Sequence, residues 1–467
     1  MQRWHGPGGY AHVLRVGLPL LAGMASITAM HLTDRLFLGW YSQDALAAAM
    51  PAGAAFFLCT SFFLGTAGYV GVLIAQNVGA GRPRAIGAVL WQGIHFAALA
   101  TVCLCALALA ADAVFALMDH APAVRRLEAV YFRVLMFGAG LMVLESALAA
   151  FFSGRGLTRA VMLVNFGGAL LNIPLDYLLI FGGPGVPSLG VAGSAIATVA
   201  AWAAMAGTYA VLVFTRRNDR LFAVRRAFRP DAAVFKKLVL LGAPGGAQIF
   251  LDMFAVTFFI ALAGQLGTTE LAATSLVLSA NTPAFMPLLG LSSGLAVVVG
   301  QAMGAGRPDE ARRAAGSALR LMAVYMAVMA AMFLGLPETL AGFFRPRGDD
   351  AGFSAVVALC RPLFACGVGL GACDIVLHTC FGVLRGAGDT RFLMLSAAAV
   401  SWGALILPAW LAVHVLHGGI VGLWGVFVFY AFVLAVTLAL RYRAGTWQKL
   451  RLVEPAQAAS TEGAPHA

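Results

Sequence analysis

The chain has 467 residues, of which 61% are hydrophobic and only 11% charged, with a mean hydropathy of +0.87. Soluble domains carry about 25% charge, so a soluble globular protein is excluded. The net charge of +11 would suit a nucleic acid if one folded face carried it, but it is spread over short segments between apolar runs, and no nucleic-acid partner is expected.

Twelve apolar runs long enough to cross a bilayer follow one another, at about 12–38, 45–76, 85–111, 129–150, 160–181, 189–214, 236–263, 271–300, 314–340, 354–384, 392–414 and 419–440. The first is too long for a cleaved signal peptide and lacks a small-residue cleavage site. With the N-terminus placed in the cytoplasm, 24 Lys and Arg fall on that side. Seven fall on the other: Arg35, Arg125, Arg126, Arg133, Arg345, Arg347 and Arg361. The asymmetry follows the positive-inside rule and predicts a multi-pass protein of the cell inner membrane, in contact with the lipid bilayer, with both termini cytoplasmic. The longest polar stretches are 215–237 and the tail after Arg441. The seven cysteines lie within the runs. Cys360, Cys366, Cys373 and Cys380 form one stripe on the tenth helix, as small packing residues do.

The chain repeats itself. "GAGRP" at 79–83 returns at 304–308, an offset of 225 that also superposes Gly17 on Gly242, Pro19 on Pro244 and Gln76 on Gln301. At an offset of 232, "SGRGLTR" (153–159) meets "RGAGDTR" (385–391). Six helices per copy is an even number, so both copies have the same orientation and their pseudo-axis runs along the membrane normal. The predicted fold is an all-α integral membrane protein of two pseudo-symmetric six-helix bundles with a central cavity. An N-lobe spans 1–214, a cytoplasmic linker 215–237, a C-lobe 238–441, and a cytoplasmic tail expected to be disordered 442–467. Each "GAGRP" is read as a tight cytoplasmic turn.

Five acids fall well inside the runs: Asp34, Glu145, Asp176, Asp252 and Asp374. A charged side chain at mid-bilayer costs about 2.5–3.5 kcal/mol on insertion scales, so these groups must face a cavity or one another. Asp34 and Asp176 each sit about five residues before the outer end of an outward-running helix, at similar depth. Asn172 shares the face of Asp176 one turn earlier, and Thr198 lies in the outer half of the sixth helix. Two carboxylates, an amide and a hydroxyl can hold Na⁺ or a proton; the alternative is separate polar residues joining helices. Asp252 and Asp374 form a second pair, unrelated to the first by the repeat, since Asp34 aligns with Phe259 and Asp252 with Ile27. Glu145 has no obvious partner acid, and a relay to Arg155 is one option. His31, three residues before Asp34, shares its helix face. Pro19 removes one backbone hydrogen bond from the first helix and offers a place to bend, or a static kink.

These residues resemble the multidrug and toxic compound extrusion (MATE) transporters over essentially the whole chain up to the tail. "HLTDRLFLGW" (31–40), "LLNIPLDYLLIFG" (170–182) and "GVAGSAIAT" (190–198) are similar to the family's motifs on helices 1, 5 and 6. They place Asp34, Asn172, Asp176 and Thr198 at its N-lobe cation or proton site. "APGGAQIFLD" (243–252) and "DIVLHTCFGVLRGAGDT" (374–390) place Asp252 and Asp374 at its C-lobe acids. Asp252 stands where members often have Glu, and Leu370 where some have Tyr, so few helper oxygens are expected in the C-lobe. The resemblance implies bending of helix 1 at Pro19. It also implies a monomeric efflux antiporter without cofactors, exporting amphipathic, often cationic drug-like molecules in exchange for Na⁺ or H⁺ by alternating access.

Two other classes were weighed. A lipid-linked oligosaccharide flippase of the same superfamily would favour an extra helix pair or a strongly cationic cavity, and neither is visible. A membrane enzyme would need a nucleophile–base pair or clustered ligands. His31, His95, His378 and His414 are instead scattered over different helices.

Overall fold

The computed structural model describes residues 2–116, 120–183, 185–342, 350–450 and 452–453. Arg345, Arg347 and residues 454–467 lie outside the described residues. Twelve helices are long and apolar enough to cross a membrane. They are α1 (Tyr10–Tyr41), α2 (Gln43–Gly79), α3 (Ala85–Leu109), α4 (Pro122–Ser153), α5 (Thr158–Phe181), α6 (Val191–Val213), α7 (Ala232–Leu266), α8 (Thr268–Gly304), α9 (Pro308–Gly335), α10 (Phe353–Ala387), α11 (Thr390–His414) and α12 (Ile420–Arg443). In hydrocarbon every backbone polar group must be satisfied within the segment, which forces such runs into helices. Their ends follow local chemistry. Ser42 accepts a hydrogen bond from the Ala45 amide, Asp231 accepts from the Ala233 and Val234 amides, and Pro122 and Pro308 open α4 and α9.

Two large buried cores form among the described residues, one dominated by residues of α2–α6 and the other by residues of α7–α12, beside a small cluster of Met30, Ala169 and Ala201. The bundles meet along a seam that repeats the 225-residue offset contact by contact. A Cβ on Gly17 would meet Leu291, and one on Gly242 would meet Thr66, the equivalent of Leu291. A Cβ on Gly65 would lie 2.5 Å from the Gly246 Cα, and one on Gly290 2.7 Å from the Cβ of Leu21, the equivalent of Gly246. At the end of the seam Gly79 abuts the Gln301 carbonyl, and Gly304 abuts the Gln76 carbonyl. The freed glutamine side chains cross over as a matched pair. Gln76 Nε2 donates to the Gly386 carbonyl and Gln301 Nε2 to the Gly154 carbonyl, both at 3.0 Å.

The two "GAGRP" segments close identically. Gly81 and Gly306 share φ +68°, and the Arg82 and Arg307 amides donate back to the carbonyls of Asn77 (3.0 Å) and Ala302 (2.9 Å). The motif is therefore more than a turn, because its first glycine lets one bundle reach the other. The bundles are sealed at the end that carries both termini.

The segment between the bundles is shorter than the composition suggested. Arg216–Phe222 is a helix and α7 starts at Ala232. The tail also needs correction. The reading of 442–467 as disordered fails for its described part, where Thr446–Lys449 is a 3-10 helix and Trp447 is fully buried against Tyr442, to whose carbonyl it donates (3.0 Å). Lys237 Nζ donates to the Leu452 carbonyl. A tryptophan with a satisfied N–H buries enough area to order a short polar segment.

The seam predicts opposite signs for one substitution at two points of α2. Gly65→Ala drives a Cβ into the Gly246 backbone and should cost about 1–3 kcal/mol. Gly53→Ala meets nothing within 4 Å and should be neutral or stabilising by up to about 1 kcal/mol. Melting of the two purified variants in detergent checks this, and equal melting would contradict the seam.

Candidate functional site: two polar centres, one in each bundle

The first centre lies between α1, α4, α5 and α6, toward the end of the bundle away from the seam's seal. Asp34, Asn172, Asp176 and Thr198 are all buried, as is Ser194. The carboxyl groups of Asp34 and Asp176 are neighbours. Thr198 Oγ1 donates to Asp34 Oδ2 at 3.4 Å, and half-exposed His31 brings Nδ1 within 3.5 Å of the same oxygen. Asn172 is buried one turn before Asp176 on α5.

Two neighbours were not anticipated. Ser194 of α6 and Tyr131 of α4 are buried close to the two acids, with no hydrogen bond to them among the described residues. Ser194 was legible in principle, four residues before Thr198 on one helix face; Tyr131 had no signal. Pro174, inside α5 between Asn172 and Asp176, cannot donate to the carbonyl four residues earlier.

Hydrogen bonding in the centre is incomplete. Asp34 Oδ1, both Asp176 oxygens, both Asn172 side-chain atoms and Ser194 Oγ have no partner among the described residues. Native interiors satisfy most such atoms, so this concentration is exceptional. Neighbouring carboxylates, with amide and hydroxyl oxygens buried on the same helices, suit a hard monovalent cation or a proton shared between the carboxyls.

The second centre is wider. Asp252 and Asp374 line a cavity of about 470 Å³ between α7, α8, α10 and α12, together with Gln248, Asn281, His378 and Tyr430. The expectation of few helpers is thus overturned, since two amides, an imidazole and a phenol share the cavity with the two acids. These helpers come from α7, α8, α10 and α12, and only Gln248 and His378, each one turn from an acid, were detectable by spacing. Ser401, at the start of a π-helical stretch of α11 (Ser401–Ile406), donates to the Tyr430 hydroxyl at 3.4 Å. Such widened turns recur at functional sites. The cavity has the volume of a small-molecule site and apolar walls from Val256, Ile260, Leu377 and Phe427.

Glu145 joins neither centre. Its electrostatic neighbour is Tyr209, whose hydroxyl donates to Asn165 Oδ1 at 3.1 Å. The relay to Arg155 is absent, because that guanidinium stacks on Phe151 (4.6 Å) and Phe222 (4.2 Å). Pro19 lies inside a helix that is continuous from Tyr10 to Tyr41. The Arg15 carbonyl it leaves without an i+4 donor accepts instead from Thr158 Oγ1 at 3.4 Å. In the other bundle Pro244 is equivalent, but the Thr390 hydroxyl, equivalent to Thr158, has no partner among the described residues.

The MatE family model matches residues 19–178 and 244–411. The chain is 30% identical to a probable multidrug resistance protein NorM of Rhizobium meliloti, over 96% of this chain and 95% of the relative. It is 28% identical to the multidrug resistance protein PmpM of Pseudomonas aeruginosa, over 97% and 96%. In fold it is similar to a solved multidrug resistance MATE family transporter of the MOP superfamily in an outward-facing conformation, at a TM-score of 0.83 and 20% identity, over 96% of this chain and 98% of that one.

The orphaned atoms of the first centre give a sign test. Asn172→Leu removes two unpartnered buried polar atoms and should raise stability in cation-free buffer by about 1–3 kcal/mol. It should also abolish stabilisation by added Na⁺, which needs the amide oxygen, while leaving stabilisation by protons, which needs only the two carboxyls. Melting with and without cation checks both, and a destabilised variant that still responds to Na⁺ would contradict the assignment.

Proposed function

We propose, from the premise that this chain belongs to the MatE family of membrane transporters, that it expels amphipathic, often cationic small molecules in exchange for Na⁺ or H⁺. It is a transporter and not an enzyme, and its curated relatives carry multidrug resistance names. The observation that carries the antiport reading is the buried, partnerless polar set on α1, α5 and α6. Two adjacent carboxylates repel when both ionise, and one monovalent cation or proton between them relieves that repulsion. The outer position of the pair on α1 and α5 lets an ion enter from outside, driven by its gradient and by about 2.3 kcal/mol per charge per 100 mV.

The seal at the terminus-bearing end supports alternating access, with that end cytoplasmic under the positive-inside rule. A membrane protein with both termini inside the cell and a monomeric working unit fit this reading. Opening toward the cytoplasm would separate the glycine seam and break the two glutamine hydrogen bonds. Loading of the N-lobe centre biases that step only through its different affinity for the two states. Pro19 sits on the helix that carries both Asp34 and the Gly17 contact, so bending there would link the centre to the seam. The C-lobe cavity is the place for the exported molecule. Its apolar walls and two acids suit an amphipathic cation.

The labour is divided between the lobes. Asp34→Asn and Asp176→Asn should each lower gradient-driven transport in liposomes at least tenfold, under either a Na⁺ or a pH gradient, with insertion unchanged. Asp252→Asn and Asp374→Asn should mainly raise the KM for cationic substrates and leave coupling intact. Lost coupling in Asp374→Asn with coupled transport in Asp34→Asn would reverse the assignment.

A further inference from the structure

A basic feature lies at the terminus-bearing face, outside both polar centres. The segment Gly6–Gly9 folds back on the first turns of α9 and encloses with it a cavity of about 690 Å³, lined by Arg312, Arg313, Gly316, Ser317 and Arg320. The contact is specific. Gly8 has φ +74°, a Cβ there would lie 2.6 Å from the Glu310 carbonyl, and its own carbonyl accepts from Ser317 Oγ at 3.0 Å. Only glycine satisfies both the left-handed backbone and the close approach.

The three guanidinium groups are held by neutral partners or by none. Arg312 donates to Gln448 Oε1 and Arg320 to the Tyr10 hydroxyl, each at 3.0 Å. No carboxylate among the described residues pairs with any of the three, whereas Arg307 one turn earlier is paired with Glu310 at 2.9 Å. Arg313 and Arg320 lie seven residues apart on one face of α9. Beyond the cavity that face continues into Val324 and Val328, which are 69% and 57% exposed. Unpaired charge at the end of an apolar stripe matches a phosphate joined to acyl chains. A free anion would leave the stripe uncovered.

We propose that this cavity binds the phosphate headgroup of an anionic phospholipid, its acyl chains lying along Val324 and Val328. Arginine suits the task because its planar fork pairs with phosphate oxygens bidentately. The headgroup would bridge the segment before α1 to α9, so it would hold the N-lobe's leading edge against the C-lobe and favour the sealed state. That consequence rests on the alternating-access reading above; the binding itself does not, and it is measured without transport.

Native mass spectrometry of the purified full chain, released from detergent with phosphatidylglycerol or phosphatidylcholine, tests it. The wild type should retain phosphatidylglycerol at least fivefold over phosphatidylcholine. Arg313→Gln, which breaks no hydrogen bond found in the structure, should lower that ratio severalfold, and a triple Arg312→Gln, Arg313→Gln, Arg320→Gln variant should bring it to about one. Arg307→Gln should leave it unchanged. Gel-filtration profiles identical to wild type show that the variants are folded, and Arg313→Gln alone decides the matter if the triple variant is not. Equal retention of both lipids by the wild type, an undiminished ratio in Arg313→Gln, or displacement of the lipid by millimolar inorganic phosphate would overturn the proposal, the last by making it a small-anion site.

Discussion

Two carboxyl groups placed side by side inside a membrane bundle cannot both be ionised unless a cation accompanies them. The Asp34–Asp176 pair imposes this constraint, and the surroundings sharpen it. Thr198 satisfies one oxygen at 3.4 Å, but several further buried polar atoms are left without partners. An arrangement like this is costly when empty of charge compensation and relaxes when a small cation or proton arrives. That difference is what a transport cycle needs, since only an ion with unequal affinity for two conformations can shift one into the other.

The seam between the bundles is built to respond to such a bias. It consists mainly of backbone meeting backbone at glycines, with two symmetric glutamine hydrogen bonds at the sealed end. Backbone contact of this kind resembles the small-residue packing of membrane helices, in which close approach replaces the hydrophobic driving force. It holds two bundles in one register, with few large side chains, such as Leu21 and Leu291, crossing at the glycines. The pseudo-two-fold repetition of the contacts means that neither bundle is the fixed one. Function has nonetheless diverged across the axis: neighbouring carboxyls are buried in the N-lobe, while in the C-lobe comparable residues line a chamber of about 470 Å³.

Much of this was legible in the sequence because membranes simplify the code. Apolar run length gave all twelve spanning helices, and the repeat predicted which residues are equivalent. Asp34, Asn172, Asp176 and Thr198 could be grouped by depth and helix face because intramembrane charge is so expensive. What escaped was contact between helices distant in sequence. Tyr131 gives no periodic signal that would tie it to the N-lobe acids. Asn281 and Tyr430 share the cavity of the C-lobe acids from two other helices, which spacing along one helix cannot reveal. Trp447 was lost in a polar tail, where one buried indole outweighs the composition. The "GAGRP" glycines were recognised as turn formers, but their role as the meeting point of two bundles needed the second copy in place. Glu145 was noticed for its cost alone, and its neighbourhood of Tyr209 and Asn165 assigns it no part in either centre.

The central claim is that the charge state of the N-lobe centre governs the seam. The most direct measurement is the distance between spin labels at Ala80 and Ala305, flanking the seal, in purified protein reconstituted in nanodiscs. The account predicts that lowering the pH or adding Na⁺ shifts the wild-type distribution to longer distances. It also predicts that Asp34→Asn has one fixed distribution whatever the cation. A wild-type distribution indifferent to both cations, or a variant that shifts as the wild type does, would contradict it.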